Sequence, residues 1–312
     1  MISSPDKALI KSIDKNKKEQ LLKLATNASV VVALILVVIK AIAWAKTGSV
    51  AMLGSLLDSV LDAAAAFINM YFIRSAMQPA DAEHRFGHGK AEPIGGMFQA
   101  MIIGGSAVFL MAESVRRLIN PEFPVNTELG ISIMLVSSAM VAVLVLIQRY
   151  VVKRTGSVIV AGDALHGFGD IAINLGVILA LVLSGLLNSP LIDPVIAIVL
   201  ACVLIRGAWS IGKNAIEQLM DTEFSEEERE HIRTLAKQHA RVNDIHDLRT
   251  RRAGLSAFIQ FHLEMDGEMN LNQAHAIADE IEQLIQQEFP NTEVLIHQDP
   301  QGIEEVDPFL RS

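Results

Sequence analysis

Apolar positions fall into six long runs between residues 27 and 212, and polar positions dominate the remainder of the chain. The runs cover roughly 27–45, 50–73, 93–118, 129–152, 158–187 and 191–212. A helix needs ~20 apolar residues to cross a bilayer core, so each run predicts one membrane span. Breakers punctuate them: Thr47-Gly48 after the first, Asn120-Pro121 and Pro124 after the third, and Asn188-Ser189-Pro190 before the last. Beyond residue 212 the periodicity changes. Ser225 ahead of a Glu-rich turn marks the start of a helix running to about Ala240. Ile245–Arg251 and Ala257–Met265 read as strands with a turn near Ala253-Gly254. In the second strand Ala257, Ile259, Phe261, Leu263 and Met265 alternate with polar neighbours. Leu271–Glu288 carries an apolar helical stripe of Ala274, Ile277, Ala278, Ile281 and Leu284, and Val294–His297 is a last short strand.

This order predicts an all-α six-helix transmembrane domain followed by a small α+β domain, αββαβ, with its helices on one face of a sheet. The expected boundaries are a polar tail over 1–26, a six-span domain over 27–212, a soluble domain over 213–300 and a C-terminal tail over 301–312. Charge sharpens the division. Residues 1–212 hold 17 Lys and Arg against 14 Asp and Glu, whereas residues 213–312 hold 9 against 21, net −12. An acidic surface excludes nucleic acid as a partner, because phosphate binding needs basic residues, and it suits cations. The single cysteine, Cys202, excludes an internal disulfide framework and a Cys-rich metal site.

Lysine and arginine set the expected orientation. Lys7, Lys11, Lys15, Lys17, Lys18 and Lys23 precede the first run, Arg74, Arg85 and Lys90 follow the second, and Arg149, Lys153 and Arg154 follow the fourth. With six spans these regions share one side, so both termini are expected in the cytoplasm of a multi-pass protein. The Arg116-Arg117 pair on the opposite side disagrees.

Two pairs of ionisable residues inside the expected spans share one spacing. Asp58 and Asp62 lie in the second and His166 and Asp170 in the fifth. A carboxylate at mid-membrane costs roughly 2.5–3.5 kcal/mol on insertion scales, so intramembrane charges mark function. Both pairs are spaced i, i+4 and therefore share a helix face. Two such faces meeting supply three carboxylates and one imidazole, a fitting tetrahedral set for Zn2+. The small residues Ala63–Ala66, Gly167 and Gly169 are expected to let the two helices approach. Asn69 and Asn174 continue the same faces, as lining for a wet cavity. The plain alternative is a set of neutral, hydrogen-bonded structural carboxyls.

Two further clusters stand out. Asp81, His84 and His88 occupy a polar, glycine-containing segment between the second and third spans, where a solvated loop is the competing reading. Of nine histidines, His246, His262, His275 and His297 lie in or beside the expected elements of the acidic tail. His262 shares its strand face with Gln260 and Glu264, opposite the apolar face, and His297 and Asp299 point the same way two residues apart. His231 and His239 sit on a polar helix and read as solvated.

These residues resemble a known family, the cation diffusion facilitators, and within it the bacterial zinc/iron efflux branch. The motifs are GSVAMLGSLLDSVLD at 48–62, QPADAEHRFGHGKAE at 78–92, GDALHGFGD at 162–170, HDLRTRRAG at 246–254 and IHQDP at 296–300. The resemblance implies a homodimer of six-span protomers in the bacterial inner membrane, each with a metallochaperone-like (ferredoxin-like) cytoplasmic domain. It implies a transport site at Asp58, Asp62, His166 and Asp170, and a loop site at Asp81, His84 and His88. It further implies a binuclear site at His246, His262, His275, His297 and Asp299, and a Lys90–Asp221 salt bridge that holds the dimer at the membrane surface.

The expected activity is proton-coupled export of divalent cations, Zn2+ first, with Cd2+ and Fe2+ as further cargo. Ligands must be deprotonated to hold a metal, so metal and protons compete for one site. An Mn2+ exporter of the same fold is one alternative, disfavoured by His166 because Mn2+ prefers all-oxygen ligation. A membrane-anchored metal sensor without flux is another. No enzyme activity is expected: there is no HExxH sequence and no evident nucleophile.

Overall fold

Among the residues described by the computed structural model, which are 15–47, 50–120, 128–187 and 191–302, six helices are long and apolar enough to cross a membrane. The expected breakers at Gly48, Pro121, Pro124 and Asn188-Ser189-Pro190, and residues 1–14 and 303–312 of the two tails, lie outside the described residues. The chain divides into two units, Met1–Leu219 and Met220–Ser312.

The first unit contains α1 (Lys15–Thr47), α2 (Val50–Ala76), α3 (Ala91–Ile119), α4 (Glu128–Thr155), α5 (Val158–Leu187) and α6 (Ile192–Leu219). At ~1.5 Å per residue each exceeds the ~30 Å hydrocarbon thickness, so its ends extend past the apolar layer. Thus α1 already begins at Lys15, within the lysine-rich stretch ahead of the first apolar run. The outward faces are apolar, with Val31, Leu61, Phe109, Leu146 and Trp209 all exposed. Such faces suit lipid contact. Arg116 and Arg117, the pair that disagreed with the charge rule, both donate to Glu113, at 2.8 and 3.0 Å. That carboxylate offsets part of their charge.

The start of α5 is built with care. At the end of α4, Gly156 adopts a positive φ of 72° and its N–H donates to Val152 O, a backbone shape that favours glycine. Ser157 Oγ then accepts from the Val160 N–H, and the buried Glu92 of α3 accepts from the Val158 N–H at 3.1 Å. Two otherwise orphaned donors at the helix start are met in this way. The register of α5, and with it the placement of His166 and Asp170, follows from these caps.

The second unit holds α7 (Glu226–Lys237), β1 (Val242–Ala253), β2 (Ser256–Met265), α8 (Leu271–Glu288) and β3 (Thr292–Pro300). Capping boxes start both helices, Ser225 with Glu228 and Asn270 with Gln273. The sheet runs β1-β2-β3, with β1 antiparallel and β3 parallel to β2. Gly254, at φ 58°, opens the two-residue β1–β2 turn. Ile259, Phe261 and Leu263 of β2 pack with Ile232 of α7 and Ile277, Ile281 and Ile285 of α8 in one core. The helices therefore cover one sheet face, and His246, His262 and His297 occupy the other. β3 is longer than the expected Val294–His297 and carries Asp299 within the strand.

Candidate metal centres

The i, i+4 spacings on α2 and α5 converge in the first unit. His166 Nε2 lies 3.0 Å from Asp62 Oδ1 and 3.8 Å from Asp170 Oδ2. In a tetrahedral Zn2+ site with bonds of about 2.0–2.1 Å, ligand atoms sit about 3.3 Å apart, so this spacing fits such an ion. Asp62, His166 and Asp170 form one three-ligand group, all half-buried. Asp58, about 6 Å earlier on α2, is exposed and outside that group. The structure thus brings together three of the four expected ligands.

The small residues do not serve the α2–α5 meeting as expected. Ala63 and Ala66 pack on Val30 and Ala33 of α1. A Cβ on Gly167 would stand 2.9 Å from Val145 of α4, and one on Gly169 2.9 Å from Leu204 of α6. Small side chains predict close approach, but the neighbour they approach is decided by the helix packing. Nor does Asn69 line an open cavity: it is buried and donates to Gln99 and Asp163, whereas Asn174 donates to Ser138 Oγ at 3.0 Å.

In the loop between α2 and α3, Asp81 Oδ1 lies 3.5 Å from His84 Nδ1 and Asp81 Oδ2 lies 3.4 Å from His88 Nε2. The backbone N–H groups of His84 and Glu83 donate to Asp81 Oδ1 at 2.6 and 2.9 Å. The His84 N–H, above all, holds the Asp81 carboxyl below its ordinary range. His88 Nδ1 rests 3.2 Å from Pro79 O, which orients the ring so that Nε2 faces the carboxylate. All three side chains reach solvent.

In the second unit, strand register aligns three imidazoles. His246 pairs with His262 across β1–β2, and His262 with His297 across β2–β3. Asp299 serves all three: Oδ2 lies 2.8 Å from His262 Nδ1 and 3.5 Å from His246 Nε2, and Oδ1 lies 3.1 Å from His297 Nε2. The tightest group is His246, His262 and Asp299. His275, on α8, is outside it and lies 3.6 Å from Asp279. Two carboxylates outside the expected ligand set come close, Glu264, already placed on the His262 face, at 3.6 Å from His246 and Asp247 at 3.9 Å from His262. Asp247 sits at a positive φ of 45°, beside an irregularity in the β1–β2 pairing.

Six apolar helices, an intramembrane carboxylate–imidazole group and an α+β domain bearing a second such group define a membrane transport protein. The comparisons make the class specific. The cation efflux transmembrane domain matches residues 27–220, and the cation efflux protein cytoplasmic domain matches residues 224–301. The cation-efflux pump FieF of Shewanella oneidensis is 43% identical over 282 residues, which are 90% of this chain and 95% of that one. The FieF pump of Klebsiella pneumoniae is 39% identical over 284 residues, 91% and 94% of the respective chains. A metal-bound C-terminal domain of the CzcD transporter from Thermotoga maritima is 28% identical, covering 26% of this chain and 100% of that one, with a TM-score of 0.24. The chain belongs to the cation diffusion facilitator family, as a FieF-like member. It is a cation efflux transport protein, and the family's cargo is divalent metal ions.

Lys40 and Asp163, both charged and inside the spans, escaped the sequence reading. Lys40 of α1 donates to Ser55 O at 3.2 Å. Asp163 of α5 takes hydrogen bonds from Ser29, Asn69 and Gln148. A search of every apolar run for any charge, and not only for paired ligands, finds both. Asp163 also lies within the motif at 162–170, three residues before His166.

Proposed function

We propose that this chain is a proton-coupled antiporter that exports divalent metal from the bacterial cytoplasm across the inner membrane, with Zn2+ as its first cargo. The observation that carries the reading is His166 Nε2, which faces the carboxylates of Asp62 and Asp170 from two helices inside the spans. Mixed nitrogen and oxygen ligands at this spacing favour Zn2+ over Mn2+. Asp58 completes the set as the fourth ligand when metal binds.

Each ligand must release its proton before it holds metal. Protons arriving from the outer side therefore discharge the ion, and their release on the cytoplasmic side readies the site for the next one. Both termini are cytoplasmic in this reading, as is the acidic second unit. Asp81, His84 and His88 form a loop metal site, and His246, His262, His275, His297 and Asp299 a binuclear one. The protein works as a homodimer.

The test is uptake of Zn2+, Cd2+, Fe2+ and Mn2+ into proteoliposomes holding wild type or His166→Ala. The reading expects Zn2+ flux that depends on His166. Equal flux in the two proteins overturns the assignment of the site.

A further inference from the structure

A second polar cluster lies in the first unit, apart from the Asp62–His166–Asp170 group. Five helices each send one side chain into it: Ser29 from α1, Asn69 from α2, Gln99 from α3, Gln148 from α4 and Asp163 from α5. The Asp163 carboxylate accepts from Ser29 Oγ at 2.6 Å, Gln148 Nε2 at 2.6 Å and Asn69 Nδ2 at 3.4 Å. Gln148 Nε2 also donates to Ser29 Oγ at 3.0 Å, and Asn69 Nδ2 to Gln99 Oε1 at 3.3 Å.

Position decides what this cluster can do. Asn69 and Gln148 lie seven residues before the ends of α2 and α4, and Gln99 and Asp163 eight and five residues after the starts of α3 and α5. At ~1.5 Å per residue these four stand about 8–12 Å in from the helix ends flanking the 77–90 loop. Asp62 precedes Asn69 by seven residues, and His166 follows Asp163 by three. The cluster is therefore interposed between the metal-ligand group and the loop-bearing end. Asp163, His166 and Asp170 share one stripe of α5 by their i, i+3, i+7 spacing. The level is tight as well: a Cβ on Gly162 would stand 2.6 Å from Gln99 Cγ.

A buried anchor in a membrane protein is expected to use up its polar atoms. This one does not. Ser29, Asn69, Gln99 and Gln148 are at most 4% exposed, yet Asn69 Oδ1, Gln99 Nε2 and Gln148 Oε1 have no hydrogen-bond partner among the described residues. Two of the three are acceptors, and they accompany a carboxylate. Once the level parts, such a lining suits the water shell of a cation and repels an anion. Asp163 already accepts three hydrogen bonds, so it attracts a cation without gripping it.

We propose that Asp163, with Asn69, Gln99 and Gln148, forms an access station where a hydrated divalent cation passes between the loop-bearing end and the Asp62–His166–Asp170 group. The proposal rests on the transport reading above and adds a separate step to it. It assigns these residues to the rate of passage rather than to the strength of binding.

The experiment compares wild type, Asp163→Asn and Gln99→Leu in a background lacking the other metal groups (Asp81→Ala, His262→Ala, Asp299→Ala). Asp163→Asn removes the charge and keeps an acceptor. Gln99→Leu removes the unpartnered Nε2 together with the Oε1 that accepts from Asn69, and leaves the three donors to Asp163 in place. Zn2+ flux is measured in proteoliposomes, and equilibrium Zn2+ binding by calorimetry on the same detergent-solubilised proteins. The expected result is a flux lower by about tenfold or more with affinity changed less than about threefold. Wild-type flux in both variants overturns the station and leaves a structural knot. Parallel loss of flux and affinity also overturns it, by making Asp163 a positioning residue for His166. A wild type that binds Zn2+ but carries none removes the transport reading, and the station with it.

Discussion

His166 Nε2 lies 3.0 Å from Asp62 Oδ1, a contact that joins α5 to α2 across 104 residues of chain. The same nitrogen is 3.8 Å from Asp170 Oδ2. A single imidazole thus mediates between two carboxylates inside the spans, and a proton or a metal ion placed there interacts with all three. Removal of any one of them is expected to lower Zn2+ affinity by 100-fold or more, about 2.7 kcal/mol. Calorimetry on Asp62→Ala, His166→Ala and Asp170→Ala checks this, with gel filtration confirming that the variants still fold. Asp58→Ala is expected to lose flux too, if Asp58 is the fourth ligand of the metal-loaded site as proposed.

Cargo choice follows from the same nitrogen. His166→Asp makes the group all-oxygen and more negative, which favours harder ions. Competition uptake of Zn2+ against Mn2+ is expected to shift towards Mn2+. An unchanged ratio would place selectivity elsewhere in the chain.

The acidic second unit predicts a metal-dependent approach between protomers. Residues 213–312 carry net −12, so two copies repel. In the proposed homodimer, two Zn2+ bound by each copy would offset about four charges, and a ligand drives closure as far as it binds the closed state more tightly. Spin labels at the exposed Gln287, introduced by Gln287→Cys with Cys202→Ser, are expected to move closer on Zn2+ addition. The change is expected to vanish in His262→Ala/Asp299→Ala. A distance that ignores Zn2+, or that shortens equally in the double variant, would show a dimerisation module without metal response.

Packing at the loop-bearing end makes a prediction about stability alone. A Cβ on Gly95 of α3 would stand 2.5 Å from Ile159 Cδ1 and 2.8 Å from Phe72 Cβ. The isoleucine tip can swing aside, but the phenylalanine Cβ is fixed to its backbone. Gly95→Ala is therefore expected to destabilise the protein by about 1–3 kcal/mol through overpacking. Thermal unfolding in detergent, with Gly105→Ala as the comparison in open space, reads the difference.

What the sequence made legible is what periodicity carries. The six apolar runs, the alternation in β2 and the i, i+4 pairs each lie within one element, so a single helical or strand period exposes them. The alignment of His246, His262 and His297 needs cross-strand register, which no single strand encodes. Ser29, Asn69, Gln99 and Gln148 look like ordinary polar residues until five helices bring them to Asp163. The alanines and glycines near Asp62 and His166 signalled close approach correctly, but their partners proved to be α1, α4 and α6 rather than each other. Asp58 shares a face with Asp62 and yet stands outside the ligand group, because a shared face fixes direction and not distance.

The most direct test of proton-coupled export is Zn2+ flux into proteoliposomes under an imposed pH gradient and no metal gradient, with pH-sensitive dye in the lumen. The account predicts Zn2+ accumulation on the acidic side, matched by alkalinisation of that side and abolished by a protonophore and by Asp170→Ala. Zn2+ movement that ignores the gradient, or that leaves luminal pH unchanged, would contradict it.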